Sequence, residues 1–250
     1  MANAKSFVLD ANLGLPVDEP PWSEILRSAG VAVESSTDLV RIDRLLGDEQ
    51  PDIAYVPGAD FCRLIIQGSA FYDGLVIATS KYTGESSQRT LLVVRADDPA
   101  TSIEDLAGAK YGYMNKSCSS SYFPPAIMLG RIGKSLDFLD LEQVPGWQHR
   151  VDAVVSKDIR ATMILEDVWK DTPENAGNVK VIGQFDRCPP AVLITGDRLG
   201  DKAVSLLRDH LLRYVPDWEG VYGAFRPYSY ADVQTFVHYM RGLPAEVLSA

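Results

Sequence analysis

The chain has 250 residues, 46% of them hydrophobic, and carries 34 Asp plus Glu against 24 Lys plus Arg for a formal net charge of -10. It is long enough to bury one large core or two modest ones, nothing in it suggests disorder, and its acidic excess argues against a broad nucleic-acid surface, which needs clustered cations. Cys62, Cys118 and Cys188 form no CxxC pair, His149, His210 and His238 have no HExxH spacing, and no stretch is long and apolar enough to span a bilayer, so neither a dedicated metal centre nor a membrane-embedded chain is expected.

In chain order, Phe7 to Leu9 reads as a first strand, followed by a turn holding Asn12, Gly14 and Pro16 and a helix from about Trp22 to Ala29 ended by Gly30. Val31 to Glu34 is a second strand. Asp38 to Leu46 carries a helical apolar stripe, Asp52 to Val56 is a short buried strand, and Pro57-Gly58 turns the chain into a helix over Ala59 to Gln67. Leu75 to Thr79 and the β-rich Thr90 to Val94 are further strands, separated by a polar loop.

At Asp97-Asp98-Pro99 the chain leaves this first unit, and Ser102-Ile103-Glu104-Asp105-Leu106 opens a second series with a capping-box pattern. Tyr111 to Met114 is its first strand and Ser120 to Arg131 its first long helix; a strand within Phe138 to Val144, a helix over Trp147 to Ser156, and strands at Ala161 to Leu165 and Val179 to Ile182 follow. Ala191 to Ile194 leads back, and helices over Lys202 to Tyr214 and Tyr230 to Arg241 are expected to pack on the first unit. Strands alternating with helices place the chain in the α/β class rather than among sandwiches or bundles.

The stretch Ser117-Cys118-Ser119-Ser120-Ser121-Tyr122 concentrates hydroxyl groups between a predicted strand and a predicted helix. A helix start exposes unpaired N–H groups and the positive end of the macrodipole, and hydroxyls beside it add donors, so this is a place to hold an anion as well as a place to cap a helix.

With Asp52 to Gly58, Leu91 to Arg95, Ser102 to Gly112 and the Ser-rich turn through Pro125, most of the chain resembles the phosphonate-type substrate-binding proteins of ABC importers, in the type 2 periplasmic-binding-protein superfamily. The resemblance implies a two-lobed α/β fold, each lobe a mixed sheet flanked by helices. Residues 1–95 plus 191–250 would form one lobe and 96–190 the other, joined by hinge strands near Arg95 and Pro190. In phosphonate binders the turn reads Ser-Thr-Ser-Gly-Tyr before a Pro; here Cys118 replaces the first hydroxyl and Ser121 the Gly, with Tyr122 and Pro125 in register. The segment Trp147 to Val155 is similar to one in which a Ser-His pair enters a helix, which implies that His149 reaches the anion, whereas Arg150 reads as a solvated side chain. Arg160 stands where the family carries an Asp, Leu165 where it carries an acid that meets a ligand amino group, and Gln88 near an expected Tyr.

From the first lobe the resemblance nominates Asn12 and Leu13, after the first strand, and the turn Pro57-Gly58-Ala59-Asp60, both at strand C-terminal ends; Tyr55 either lines the cleft or packs. The implied function is a solute-binding protein that closes its lobes on a small oxyanion, phosphonate or phosphate-like, as in ABC import, with a permease as partner and no cofactor. The alternative is a cytoplasmic enzyme or ligand sensor on the same scaffold, with Cys118 as nucleophile and His149 as its base. Met1 to Asp10 lacks the apolar run of a secretory leader, so the chain as written is expected in the cytoplasm; a mature chain trimmed of its leader would be periplasmic.

Overall fold

The computed structural model describes residues 3–8, 23–28, 32–36, 51–215 and 222–248. Asn12, Leu13 and the helix expected over Asp38 to Leu46 lie outside the described residues. Contacts divide the chain into two compact units, Met1–Ser86 with Pro189–Gln234 and Ser87–Cys188 with Thr235–Ala250. Each unit is built on its own mixed sheet with helices, as the alternating pattern predicts.

The first unit contains β1 (Asn3–Val8), α1 (Ser23–Ser28), β2 (Ala32–Ser36), β3 (Ile53–Val56), α2 (Gly58–Ile66) and β4 (Tyr72–Ser80). The second contains β5 (Gln88–Arg95), β6 (Lys110–Tyr113), α3 (Phe123–Arg131), β7 (Asp140–Gln143), α4 (Trp147–Ser156), β8 (Ala161–Leu165), α5 (Glu166–Asp171), α6 (Asn175–Asn178) and β9 (Val179–Cys188). The chain then returns to the first unit through β10 (Val192–Gly196), α7 (Asp201–Leu211) and β11 (Tyr222–Pro227). Helix α8 (Tyr230–Met240) begins in the first unit and ends in the second, before α9 (Ala245–Leu248).

The first sheet runs β11-β4-β10-β3-β1-β2. Parallel β1, β2 and β3 are extended antiparallel by β10, which pairs Val192 with Val56 and Leu193 with Tyr55. In β3, Ile53, Ala54 and Tyr55 are fully buried, which is why its sequence is a continuous apolar run rather than an alternating one.

In the second sheet, ordered β7-β6-β8-β5-β9, β6 is parallel to β7 and β8, while β5 runs antiparallel between β8 and β9. The expected division grouped residues up to 95 with those from 191 onward. Strand β5 instead pairs with β8 and β9, and Phe236 of α8 packs edge-on against Phe123 and Phe185 at 6.4 and 6.0 Å, so the second half of that helix sits with the second unit. Strand partners and helix docking depend on long-range contacts that no local pattern encodes.

Helix α3 starts at Phe123 rather than Ser120, and Pro124 and Pro125 occupy its first turn. A proline there surrenders an N–H that has no intrahelical acceptor in any case, so the pair starts the helix without disrupting it. Beneath the sheet, Val151 and Val154 of α4 join Leu91, Val93, Ile159, Ile164 and Val179 in one apolar cluster. The turn before β6 carries the expected capping box, in which Asp105 accepts the Ser102 N–H at 3.1 Å.

Candidate anion site

Residues 117–122 connect β6 to α3, and three strands grip them. Cys188 of β9 donates its thiol to the Ser119 carbonyl at 3.3 Å, the Thr90 hydroxyl of β5 shares its one proton between the Ser120 carbonyl at 2.9 Å and the Ile164 carbonyl at 2.8 Å, and the Tyr111 hydroxyl of β6 donates to the Ser121 carbonyl at 2.9 Å. Three consecutive carbonyls are therefore drawn to the side chains of the sheet. Because each peptide unit is planar and trans, the N–H groups of Ser120 and Ser121 point the opposite way from the Ser119 and Ser120 carbonyls. Successive N–H groups directed away from a sheet make an anion-binding concavity, and they supply the donors that Pro124 and Pro125 lack.

The hydroxyls divide their work. Ser121 Oγ accepts the Met114 N–H at 3.0 Å and so closes the turn, while Ser120 Oγ lies 3.3 Å from Cys118 Sγ. Ser117, half-buried, caps the approach by donating its N–H to Asn115 Oδ1 at 2.9 Å. Cys118 to Tyr122 are all buried, and Tyr122 stacks at a tilt on Tyr113 with centroids 5.4 Å apart.

The charge beside this turn comes from α4. Trp147, Arg150, Val151 and Val154 follow i, i+3, i+4, i+7 spacing and form one stripe, so Arg150 occupies an inward position with 0% of its surface exposed. Its Nη1 donates to the Gly146 carbonyl at 2.9 Å, and its guanidinium lies 5.2 Å from the centre of the Trp147 ring. Burial lowers the Arg150 pKa, opposed by interaction with Cys118 and Tyr111. Those are the residues bonded to Ser120 and Ser121, so the guanidinium charge lies near the carbonyl side of the turn. Nε and Nη2 of Arg150 and Nε1 of Trp147 are buried without a protein acceptor among the described residues. The sequence reading treated Arg150 as solvated; its place in the Trp147, Val151, Val154 stripe was the signal that it points inward.

The family model for the periplasmic substrate-binding protein of phosphonate ABC transporters matches residues 26–230. The chain belongs to this phosphonate-binding family. No curated protein matches it in sequence. Among solved structures it is similar to XAC2383 from Xanthomonas citri bound to chloride ion, with a TM-score of 0.76, 17% identity and 98% of each chain covered. It is also similar to a binding protein component of an ABC phosphonate transporter from Pseudomonas aeruginosa (TM-score 0.70, 16% identity, 99% of this chain and 92% of that one). PhnD1 from Prochlorococcus marinus in complex with methylphosphonate gives a TM-score of 0.67 at 13% identity, over 96% of this chain and 97% of that one. These likenesses establish the periplasmic-binding-protein fold. Among the described residues no helix is long and apolar enough to cross a membrane.

In this phosphonate-family chain the sequence-nominated residues divide between the two units. Ser117 to Tyr122 form the turn itself. His149 is exposed and leans on Gly146, the α4 N-cap with φ of 90°, where an added Cβ would come within 2.8 Å of the imidazole Nδ1. No hydrogen bond joins His149 to the turn among the described residues, whereas the Arg150 charge lies near Cys118.

In the first unit, Tyr55 is fully buried edge-on to Phe225 at 5.9 Å, and burial pushes its hydroxyl pKa up. Pro57 precedes α2 and its carbonyl accepts the N–H groups of Asp60 and Phe61 at 3.0 and 3.2 Å. Gly58 meets the 189–190 backbone so closely that a Cβ would lie 2.4 Å from the Pro190 carbonyl oxygen. Asp60 is buried with Oδ1 3.1 Å from Arg63 Nη1. Thr90, Tyr111 and Cys188, which set the backbone of the turn, went unnoticed in the sequence because each lies far from it along the chain and inside an otherwise apolar strand.

Proposed function

We propose that this substrate-binding protein takes a small oxyanion of the phosphonate type, holds its acid group at the turn 117–122, and hands it to an ABC permease from the periplasm. The observation that carries the reading is the row of outward-turned N–H groups and serine hydroxyls at the start of α3, with the buried positive charge of Arg150 on the carbonyl side of the same turn. Family membership supports the transport role, and the methylphosphonate held by a protein of the same fold supports the ligand class.

Where the resemblance places acids for a ligand amino group, this chain has Arg160, gripped by Asp98, and Leu165, buried in β8; this favours a ligand without an amine. The test is thermal-shift titration with phosphate, phosphite, sulfate, methylphosphonate, methanesulfonate and acetate. A ligand that binds the folded state raises Tm with concentration. Ser119→Ala and Ser120→Ala should each weaken that response, by about 1 kcal/mol or more of binding energy per lost donor. A flat response to every anion ends the oxyanion reading.

A further inference from the structure

We propose that the Nε/Nη2 edge of Arg150, together with Trp147 Nε1, seats the acid group of the ligand directly, and that this single buried cation makes the site one for singly charged acid heads. The inference rests on the oxyanion reading above and assigns it a specific contact and ligand class. A guanidinium presents two N–H groups side by side at Nε and Nη2, matched to two oxygens of one acid group. The same chain shows that grip filled at Arg160, where Nε and Nη2 bond to the two oxygens of Asp98 at 2.9 and 3.0 Å. Arg150 offers the identical edge. Its Nη1 is engaged by Gly146, while Nε and Nη2 meet no protein acceptor among the described residues.

An isolated buried guanidinium is held at a large desolvation cost, and a structural arginine at an inward helix position ordinarily has a carboxylate to meet it. Here no carboxylate among the described residues hydrogen-bonds Arg150 Nε or Nη2, and the neighbours are the uncharged side chains of Cys118 and Tyr111. Trp147 Nε1 adds a third unmet donor next to the guanidinium, and an indole N–H cannot accept. A group of donors with one full positive charge is complementary to an anion with one negative charge. Arg150 is the only lysine or arginine of the second unit that is buried among the described residues, so a second negative charge would enter a desolvated corner with no cation to meet it. Sulfonates, carboxylates and singly ionised phosphonates satisfy these terms; sulfate, doubly charged, does not.

The test uses the full chain, with isothermal titration calorimetry of methanesulfonate, methylphosphonate and sulfate on wild type, Arg150→Lys and Arg150→Met, and NMR of arginine Nε–H and indole Nε1–H groups, the latter assigned with Trp147→Phe. Methanesulfonate should bind wild type at least about tenfold more tightly than sulfate. Arg150→Lys, which keeps the charge and loses the side-on edge, should lose about tenfold or more, and Arg150→Met about a hundredfold. In unaltered protein one arginine Nε–H and the Trp147 indole resonance should shift on adding methanesulfonate, a readout that stands even if a variant fails to fold. Arg150→Lys binding like wild type, sulfate binding as tightly as methanesulfonate, or unmoved Nε–H and indole signals in ligand-saturated wild type each overturn this inference and leave the oxyanion reading standing. If wild type binds none of the anions, the oxyanion reading falls and takes this inference with it.

Discussion

The hydroxyl of Tyr111 donates to the carbonyl oxygen of Ser121 at 2.9 Å, joining the middle of a strand to a turn ten residues later. Both residues are fully buried, so this bond has no water to replace it. Tyr111→Phe leaves the Ser121 carbonyl without its donor, and Thr90→Val removes the one proton shared by the Ser120 and Ile164 carbonyls. Each substitution should destabilise the chain by about 1 to 3 kcal/mol, because an orphaned buried polar group costs more than the bond itself contributes. Urea titration at constant m-value measures it. A loss below about 0.5 kcal/mol for both would show that the sheet does not anchor the turn.

Gly58→Ala should be disproportionately harmful for a single methyl group. The new Cβ would stand 2.4 Å from the Pro190 carbonyl oxygen and 2.5 Å from that of Pro189, and backbone has no rotamer with which to retreat. Overpacking of this kind costs about 1 to 3 kcal/mol. Thermal melting compared with Gly130→Ala, where nothing lies within 4 Å of the added carbon, separates the clash from the ordinary effect of replacing a glycine.

Phe236→Ala tests the docking of α8. The ring is 1% exposed and meets Phe123 and Phe185 edge-on. Removing a buried phenylalanine ring costs about 3 to 5 kcal/mol, so the variant should melt far below wild type. Hydrogen exchange should show lost protection in α3 and β9; protection unchanged there would contradict the packing.

The Asp98 carboxyl is held below the usual carboxylate range, first by its hydrogen bonds from Arg160 and then by the Ala100 N–H. A depressed folded-state pKa means that the pair contributes stability above the unfolded pKa of about 3.9 and loses it as pH falls through the folded value. Asp98→Asn should therefore be less stable than wild type near neutrality, by at most about 1 kcal/mol for a pair this close to the surface. The gap should narrow as pH falls below about 4. A gap that widens on acidification would reverse the sign and refute the assignment.

Burial raises the thiol pKa of Cys62 and of Cys188. Thiolate, not thiol, is the nucleophile toward alkylating agents. In native protein both cysteines should react with iodoacetamide far more slowly than in urea, at a rate set by opening of the fold. Peptide mass spectrometry reads this site by site, and rapid native labelling of Cys188 would mean that it does not hold the Ser119 carbonyl.

The local parts of this molecule were legible because they follow from steric and periodic rules that act within a few residues. The apolar run at Ile53 to Val56, the helix from Trp147 to Ser156, the α/β alternation and the hydroxyl-rich turn before Pro124-Pro125 can all be read from the sequence, and the motifs carried the family resemblance with them. Helix-start position was misplaced by three residues at Ser120, where two prolines set the first turn later.

Tertiary structure alone decided which sheet received β5, that α8 ends against Phe123 and Phe185, and that Thr90, Tyr111 and Cys188 turn three serine carbonyls inward. It also decided between two adjacent residues of α4. At 100° per residue, His149 and Arg150 point to different faces, and the orientation of the helix on its sheet brings the arginine beneath the turn and leaves the histidine exposed. The sequence by itself determined that hydroxyls gather at a helix start, a candidate place for an anion; only the packing of α4 decided that a buried arginine stands beside it, because which face of a helix meets the core is settled by the sum of contacts made at long range along the chain.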